Sequence, residues 1–328
     1  MKIRHADNTW RMDPIDRQRT LMTGNRQLRP LEVRQLGDMG DALDEYSQRA
    51  RDSLSDLLQR QSVLGRIEGE HSDWIAFPSL TPMVFVEERP SAELYEAEDI
   101  AIGAHEILYE DHLQAQNIHV HAFTQTQWSQ MLRLFKERVW DLSHDSRLHR
   151  VALQVLPPAL RRLPLTHAQL IALPDDLPMG LSQTECPVCT DFALATESGT
   201  IVHTTPHFVA YVPFAPRTSV HLRIIHAAHS SLLAQSCDTP QLEELAALIS
   251  RCCRLLHGFH PTAAFQATIG PLHVASSERS PPDHSVINLS WTHEADQDLG
   301  GSMTFRTCAL EPSVLAHRLR ALASQGPG

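Results

Sequence analysis

Two short segments of this chain carry the residue types that chemistry at phosphorus or at a metal ion requires. The first is Leu165-Thr166-His167-Ala168-Gln169 and the second is His284-Ser285-Val286-Ile287-Asn288. Both read as strands, in which alternate side chains share one face. His167 and Gln169 therefore stand side by side. A neutral imidazole is a nucleophile near neutral pH, and an amide two residues on can donate to phosphoryl oxygens as charge builds there. The competing reading of His167 is a histidine simply satisfied within its strand. In the second segment the outer histidine, His284, remains and the central position is Val286.

Cys186-Pro187-Val188-Cys189 and His229 lie upstream of that second segment. Two thiolates on a tight knuckle and two imidazoles make a closed, tetrahedral, structural zinc site, so Cys186, Cys189, His229 and His284 form the expected ligand set. Redox proteins share the Cys-x-x-Cys spacing, and His226 is an alternative to His229. Cys237, Cys252, Cys253 and Cys308 read as small buried hydrophobes or surface thiols. A chain of 328 residues without a secretion signal is not expected to be a disulfide framework.

The elements that must position these groups come in the same order twice. Strand patterns at 74–77, 83–86 and 100–109 precede a helix through Trp128, Met131, Leu132, Phe135, Val139 and Leu142, then strands at 151–155 and 165–173. Strand patterns at 202–203, 208–212 and 220–225 precede a helix through Leu242, Leu245, Leu248, Ile249, Cys252 and Leu255, then strands at 265–269 and 284–289. His112 to Leu165 spans 53 residues and His229 to His284 spans 55. Matching order and near-matching spacing predict a tandem duplication of one α+β unit. The Pro-rich stretch from Pro174 to Gly180 marks the boundary, with an N-terminal unit of 1–174 and a C-terminal unit of 175–328. The acidic, proline-free stretch 38–64 reads as a helix. Trp128, Phe135 and Trp140 on the first long helix read as core against the sheet.

A formal net charge of −11 with no basic tract excludes a general nucleic-acid binder. No apolar run approaches the ~18 residues of a membrane span. No apolar segment follows the first residues, so no signal peptide is expected and a cytoplasmic protein is. Arg161 and Arg162, just before the His167 strand, offer forked donors that match phosphate oxygens. A solvated pair of charges is the plainer reading of them.

At these residues the chain resembles galactose-1-phosphate uridylyltransferase and its bacterial relatives, the two-repeat branch of the histidine triad superfamily. The resemblance runs nearly end to end. It is carried by Arg11-x-Asp13-Pro14, Arg26-x-x-Arg29-Pro30, Gly103-Ala104-His105-Glu106-Ile107, Asp111-His112, His167-x-Gln169-Leu170-Ile171-Ala172-Leu173-Pro174, the stretch from His207 to His229, and Leu310-Glu311-Pro312 leading into an Ala/Leu/Arg helix. It implies that His167 takes a nucleotidyl group from a sugar nucleotide and passes it to a sugar 1-phosphate. It also implies that Gln169 contacts the transferred phosphoryl group, that Arg26 and Arg29 lie near the nucleotide phosphates, and that the protein is a homodimer of carbohydrate metabolism. The zinc histidines fall where this superfamily has zinc ligands. The chain departs from the pattern where Leu165 replaces the first motif histidine, where no Cys-x-x-Cys feeds the first repeat, and where Ser79 follows Pro78 in place of an asparagine. Leu160 to Pro164 replaces a Gly/Ser-rich approach, and Val286 replaces a second-repeat metal ligand. A phosphorylase acting on a dinucleoside or sugar nucleotide is the neighbouring enzymatic reading. A zinc-stabilised nucleotide-binding protein without turnover is the rival of another class.

Overall fold

Strict alternation builds the central strands. Along Arg150–Val155 every second residue is buried, which puts Val151, Leu153 and Val155 in an apolar core and leaves Ala152 and Gln154 on the other face. A computed structural model describes residues 9–14, 19–22, 62–70, 72–79, 84, 86, 103–111, 118–158, 166–174, 186–229, 238–273, 284–292 and 305–325. In chain order the elements are β1 (Thr9–Met12), β2 (Arg19–Met22), β3 (Gly65–Ile67), β4 (Asp73–Pro78), β5 (Ala104–Asp111), α1 (Gln125–Leu142), β6 (Arg150–Val155) and β7 (His167–Leu173). There follow α2 (Pro187–Glu197), β8 (Ile201–Thr204), β9 (Phe208–Tyr211), β10 (His221–His226), α3 (Thr239–Phe259), β11 (Phe265–His273), β12 (Val286–Trp291), β13 (Phe305–Cys308) and α4 (Pro312–Ser324).

Ten strands form one antiparallel sheet in the order β3-β4-β5-β7-β6-β11-β12-β10-β9-β8. The order reads the same from both edges inward, so β3, β4, β5, β7 and β6 correspond to β8, β9, β10, β12 and β11. The architecture is α+β, a tandem duplication whose two halves meet at the β6–β11 pairing. The sheet is continuous across that meeting.

Both long helices lie on one face. Thr124 caps α1 in a reciprocal capping box with Gln127, and the Asp238 side chain caps α3 by accepting from the Gln241 amide. Trp128, Met131, Leu132 and Phe135 of α1 and Leu245, Leu248, Ile249 and Leu256 of α3 join Leu108, Leu153, Leu170, Ile224 and Leu289 of the sheet in one apolar core. Trp140 is not part of it and is 58% exposed. It lies twelve residues beyond Trp128, about a third of a turn off the buried stripe at 3.6 residues per turn.

The opposite face differs between halves. In the second half α2 lies on it, with Val188 and Ala195 packed on Val209, Tyr211, Ile225 and Val286. A small sheet of β1, β2 and β13 joins the N-terminal segment to the C-terminal one, β13 running parallel to β2. Val84 and Val86 lie in bends rather than in the expected strand, and residues 62–64 are not helical. The rest of the expected helix 38–64 and of the 174–180 boundary falls outside the described residues, Pro174 apart. No described helix is long and apolar enough to cross a membrane.

Candidate functional site

His167 opens β7 on the face away from the long helices. Its neighbours Ala168, Leu170 and Ala172 turn into the helix-covered core, while His167, Gln169 and Ile171 do not. Strand register then decides what stands beside it. On β5, Tyr109 is opposite His167, Ile107 opposite Gln169 and His105 opposite Ile171. On β6, Gln154 is opposite Gln169. On β4, Ile75 faces Tyr109 and Phe77 faces Ile107, and the Phe77 and Tyr109 rings meet edge to face with centroids 5.5 Å apart. One surface thus carries two imidazoles, two amides and an aromatic pair. The entry to β7 is held where Thr166 accepts from the Glu110 amide (3.2 Å) through its carbonyl and from the Ile118 amide (3.2 Å) through its hydroxyl. Gly103 permits the β5–β7 approach, because a Cβ there would lie 2.5 Å from the Ala172 carbonyl oxygen.

His167 is only 3% exposed, more enclosed than an open cleft implies. Tyr109 is buried as well; burial, and then the nearby Asp111 carboxylate, push its hydroxyl well above the usual range. Burial lowers His105, so its ring is neutral at pH 7.

The second cluster is a group of four side chains that could hold a metal ion. One ligand atom each from Cys186, Cys189, His229 and His284 lies within 4.8 Å of all the others. The Cys189 sulfur is 3.2 Å from His229 Nδ1 and 3.5 Å from His284 Nδ1. Sulfur and nitrogen bound to one tetrahedral metal at usual bond lengths lie roughly 3.5 Å apart, so the spacing fits a shared ion. Burial, then Cys186 beside it, push the Cys189 thiol up to about 11. A cation between the thiols reverses that preference, because the thiolate is the ligand form. His284 Nε2 is 2.8 Å from the His226 carbonyl oxygen, an outer contact that fixes the ring with Nδ1 toward the Cys189 sulfur. His226 thus contributes backbone, while its own Nδ1 lies against Ala228 at 3.1 Å. His229 is the ring in the cluster. The Cys-x-x-Cys knuckle opens a helix that the residue pattern did not announce: Pro187 occupies the first turn of α2.

A third cluster was missed from sequence. Arg223 on β10, fully buried, donates through Nη1 to Asp191 Oδ2 (2.8 Å), through Nε to Asn288 Oδ1 (3.1 Å) and through Nη2 to the Asp13 carboxylate. Tyr211 donates to the same Asp191 oxygen (2.7 Å). Burial alone would lower Arg223, but Asp191 and Asp13 outweigh it and raise it. His221 is also fully buried. Its Nδ1 accepts from the Arg217 amide (3.0 Å) and its Nε2 faces Asn288 Oδ1 at 2.9 Å. The available sequence signal was the alternation of His221, Arg223 and Ile225, three residues on one face of a strand.

Arg26, Arg29, Arg161, Arg162, His112 and Leu165 fall outside the described residues. The structure brings together Cys186, Cys189, His229 and His284, and sets His167 beside Gln169.

No protein-family model and no curated protein sequence matches the chain. Solved structures do. A galt-like protein from Arabidopsis thaliana superposes with a TM-score of 0.69 at 14% identity, over 96% of this chain and 99% of that one. The chain has the galt-like fold. An ADP-glucose phosphorylase from Arabidopsis thaliana, solved with bound ADP-glucose, gives 0.68 at 15% identity over 96% of this chain and 99% of that one. A uridylyltransferase gives 0.58 at 16% identity over 77% and 86%. This galt-like architecture spans both halves of the chain.

Proposed function

We propose that the protein is a nucleotidyltransferase working through a covalent nucleotidyl-histidine at His167, acting on sugar nucleotides as a hexose-1-phosphate uridylyltransferase or a sugar-nucleotide phosphorylase does. The observation that carries this reading is the sharing of one sheet face by His167, Gln169 and the Phe77–Tyr109 aromatic pair, away from the helix-packed core. The whole-chain likeness to a phosphorylase that binds ADP-glucose supports it.

The neutral ring nitrogen of His167 attacks the α-phosphorus of a nucleoside diphosphate sugar. A P–N bond forms as the bond from that phosphorus to the bridging oxygen breaks, and the sugar 1-phosphate leaves with the electron pair. A second phosphate oxygen, from a sugar 1-phosphate or from inorganic phosphate, then takes the nucleotidyl group and frees the ring. Charge on the phosphoryl oxygens calls for fixed donors, the role of the Gln169 amide and of Arg26, Arg29, Arg161 and Arg162. The work is divided near residue 174, with transfer in the first unit. In the second, zinc at Cys186, Cys189, His229 and His284 braces the fold; that donor set is the closed, four-ligand kind that leaves no position for substrate.

Incubation with ADP-glucose or UDP-glucose carrying a radiolabelled α-phosphate tests this. An acid-labile, base-stable label on the protein, absent in His167→Ala, is expected. The burial of His167 favours one other reading, a nucleotide-binding protein without turnover. Tight binding of these nucleotides with no label would select it.

A further inference from the structure

We propose that Gln266 and Thr268 of β11, flanked by Gln154 of β6 and Ser290 of β12, form the subsite that holds the uncharged sugar of the nucleotide sugar whose α-phosphorus meets His167. The inference rests on the reading of His167 and Gln169 above, and it gives the second half a part in choosing the substrate. Its basis is that the two sides of β7 differ on the face away from the long helices. Toward β5 and β4, Tyr109 and Ile107 stand opposite His167 and Gln169, with Ile75 and Phe77 beyond them. Toward β6 and β11 the neighbours are polar. Gln154 pairs with Gln169, Thr268 pairs with Gln154, and Asn288 pairs with Thr268. Gln266 lies two residues along β11 from Thr268, on the same face, and pairs with Ser290. This row crosses the β6–β11 pairing where the halves meet. Its side chains touch across that pairing: Gln154 Nε2 donates to Gln266 Oε1 (3.5 Å), and Gln266 Nε2 donates to Ser290 Oγ (3.3 Å).

The chemistry of the row fits a polyol. None of these four side chains carries a charge, whereas phosphate oxygens call for cationic partners. Amides and hydroxyls each both donate and accept. A second N–H on Gln154 and on Gln266, and the Ser290 hydroxyl hydrogen, remain to donate after the contacts above. Sugar hydroxyls need donors and acceptors side by side, which such a row supplies. Gln154, Gln266 and Thr268 are partly exposed, while Asn288 and Arg223 further across the sheet are buried. The apolar cluster under α2 reaches only Val286 of β12. The row is therefore open where the charged network beyond it is closed. Its position also suits a leaving sugar. β11 is two strand spacings from β7, about 10 Å, a span that the β-phosphate and pyranose ring beyond the α-phosphorus together cover.

Calorimetric titration with ADP-glucose, UDP-glucose, ADP and UDP tests the assignment. Gln266→Met keeps the side-chain length and removes the amide. It is expected to weaken binding of the sugar nucleotide about tenfold, the scale of one or two lost hydrogen bonds, and to leave binding of the matching nucleoside diphosphate unchanged. Thr268→Val should act in the same direction by a smaller factor. Unchanged diphosphate binding shows in each case that the variant is folded around its site. Equal weakening of sugar nucleotide and diphosphate in a variant of wild-type Tm, or no weakening in either variant, would overturn the proposal. Labelling of His167 is scored separately. A wild type that binds a sugar nucleotide and takes no label removes the transfer reading, and the same binding ratios still decide the sugar subsite. A wild type that binds neither sugar nucleotide overturns both.

Discussion

At corresponding positions on the face away from the long helices, the two halves carry opposite chemistry. The first half has His167 opposite Tyr109, Gln169 opposite Ile107, and Phe77 beside them. The second has Val286 opposite Ile225, Asn288 opposite Arg223, and Tyr211 beside them. Where the first half offers an imidazole, the second has an apolar pair packed under α2. Where the first has an isoleucine, the second has a guanidinium bonded to two carboxylates and an amide. One backbone plan thus carries an imidazole and an amide beside an aromatic pair in one half. It supports a locked interior when the chain supplies the counter-charges itself, Asp191 from α2 and Asp13 from the N-terminal segment.

The largest effect should separate the two central positions. His167→Ala is expected to abolish the nucleotidyl label. Val286→Ala should leave labelling intact and lower stability by about 1–3 kcal/mol, the usual cost of a core truncation, read by urea unfolding. Equal loss of label in both would break the comparison.

Next come the charges. Arg223→Met strands Asp13 and Asp191 in the interior and should cost about 3–5 kcal/mol. Ile107→Met, the equivalent change in the first half, should cost less than about 1.5 kcal/mol. A tolerated Arg223→Met would mean that the second half is not locked by its ion network.

Metal content sharpens the same contrast. About one equivalent of zinc is expected by elemental analysis, lost with a fall in Tm in Cys189→Ser and retained in His167→Ala. A metal-free wild type of unchanged Tm refutes the brace.

The smallest effect concerns a contact between the halves. The His121 ring, before α1, stacks on His257 of α3 with centroids 3.7 Å apart and planes within 6°. Burial, then His257 and His119, bring His121 down to about 4. The unfolded chain therefore binds this proton first as pH falls. The stability contribution is complete above about 6.5 and is lost as pH falls toward 4. Thermal melts between pH 7 and 4 should show a shallower acid decline in His121→Phe than in the wild type.

Much of this was legible before any coordinates. The His167-x-Gln169 alternation, the Cys-x-x-Cys, both long helices and most central strands follow from local pattern, because side-chain period and capping are set by neighbours a few residues away. Trp140 shows the limit: it fits an apolar spacing loosely, and only the angle of the helix against the sheet turns it to solvent. The alternation of His221, Arg223 and Ile225 marks a shared strand face but not its burial, since the partners Asp13, Asp191 and Asn288 lie far along the chain.

The amino-acid order alone determined that two similar α+β units follow one another, and that one of them has a histidine two residues from an amide while the other contains a closely spaced pair of thiols. Tertiary structure decided that His229 rather than His226 joins those thiols, and that Asp13 closes the charge on Arg223. The reason is geometric. Backbone conformation fixes which side chains of one strand share a face, but which face meets which depends on pairings between strands tens to hundreds of residues apart, and those exist only once the sheet has closed across both halves.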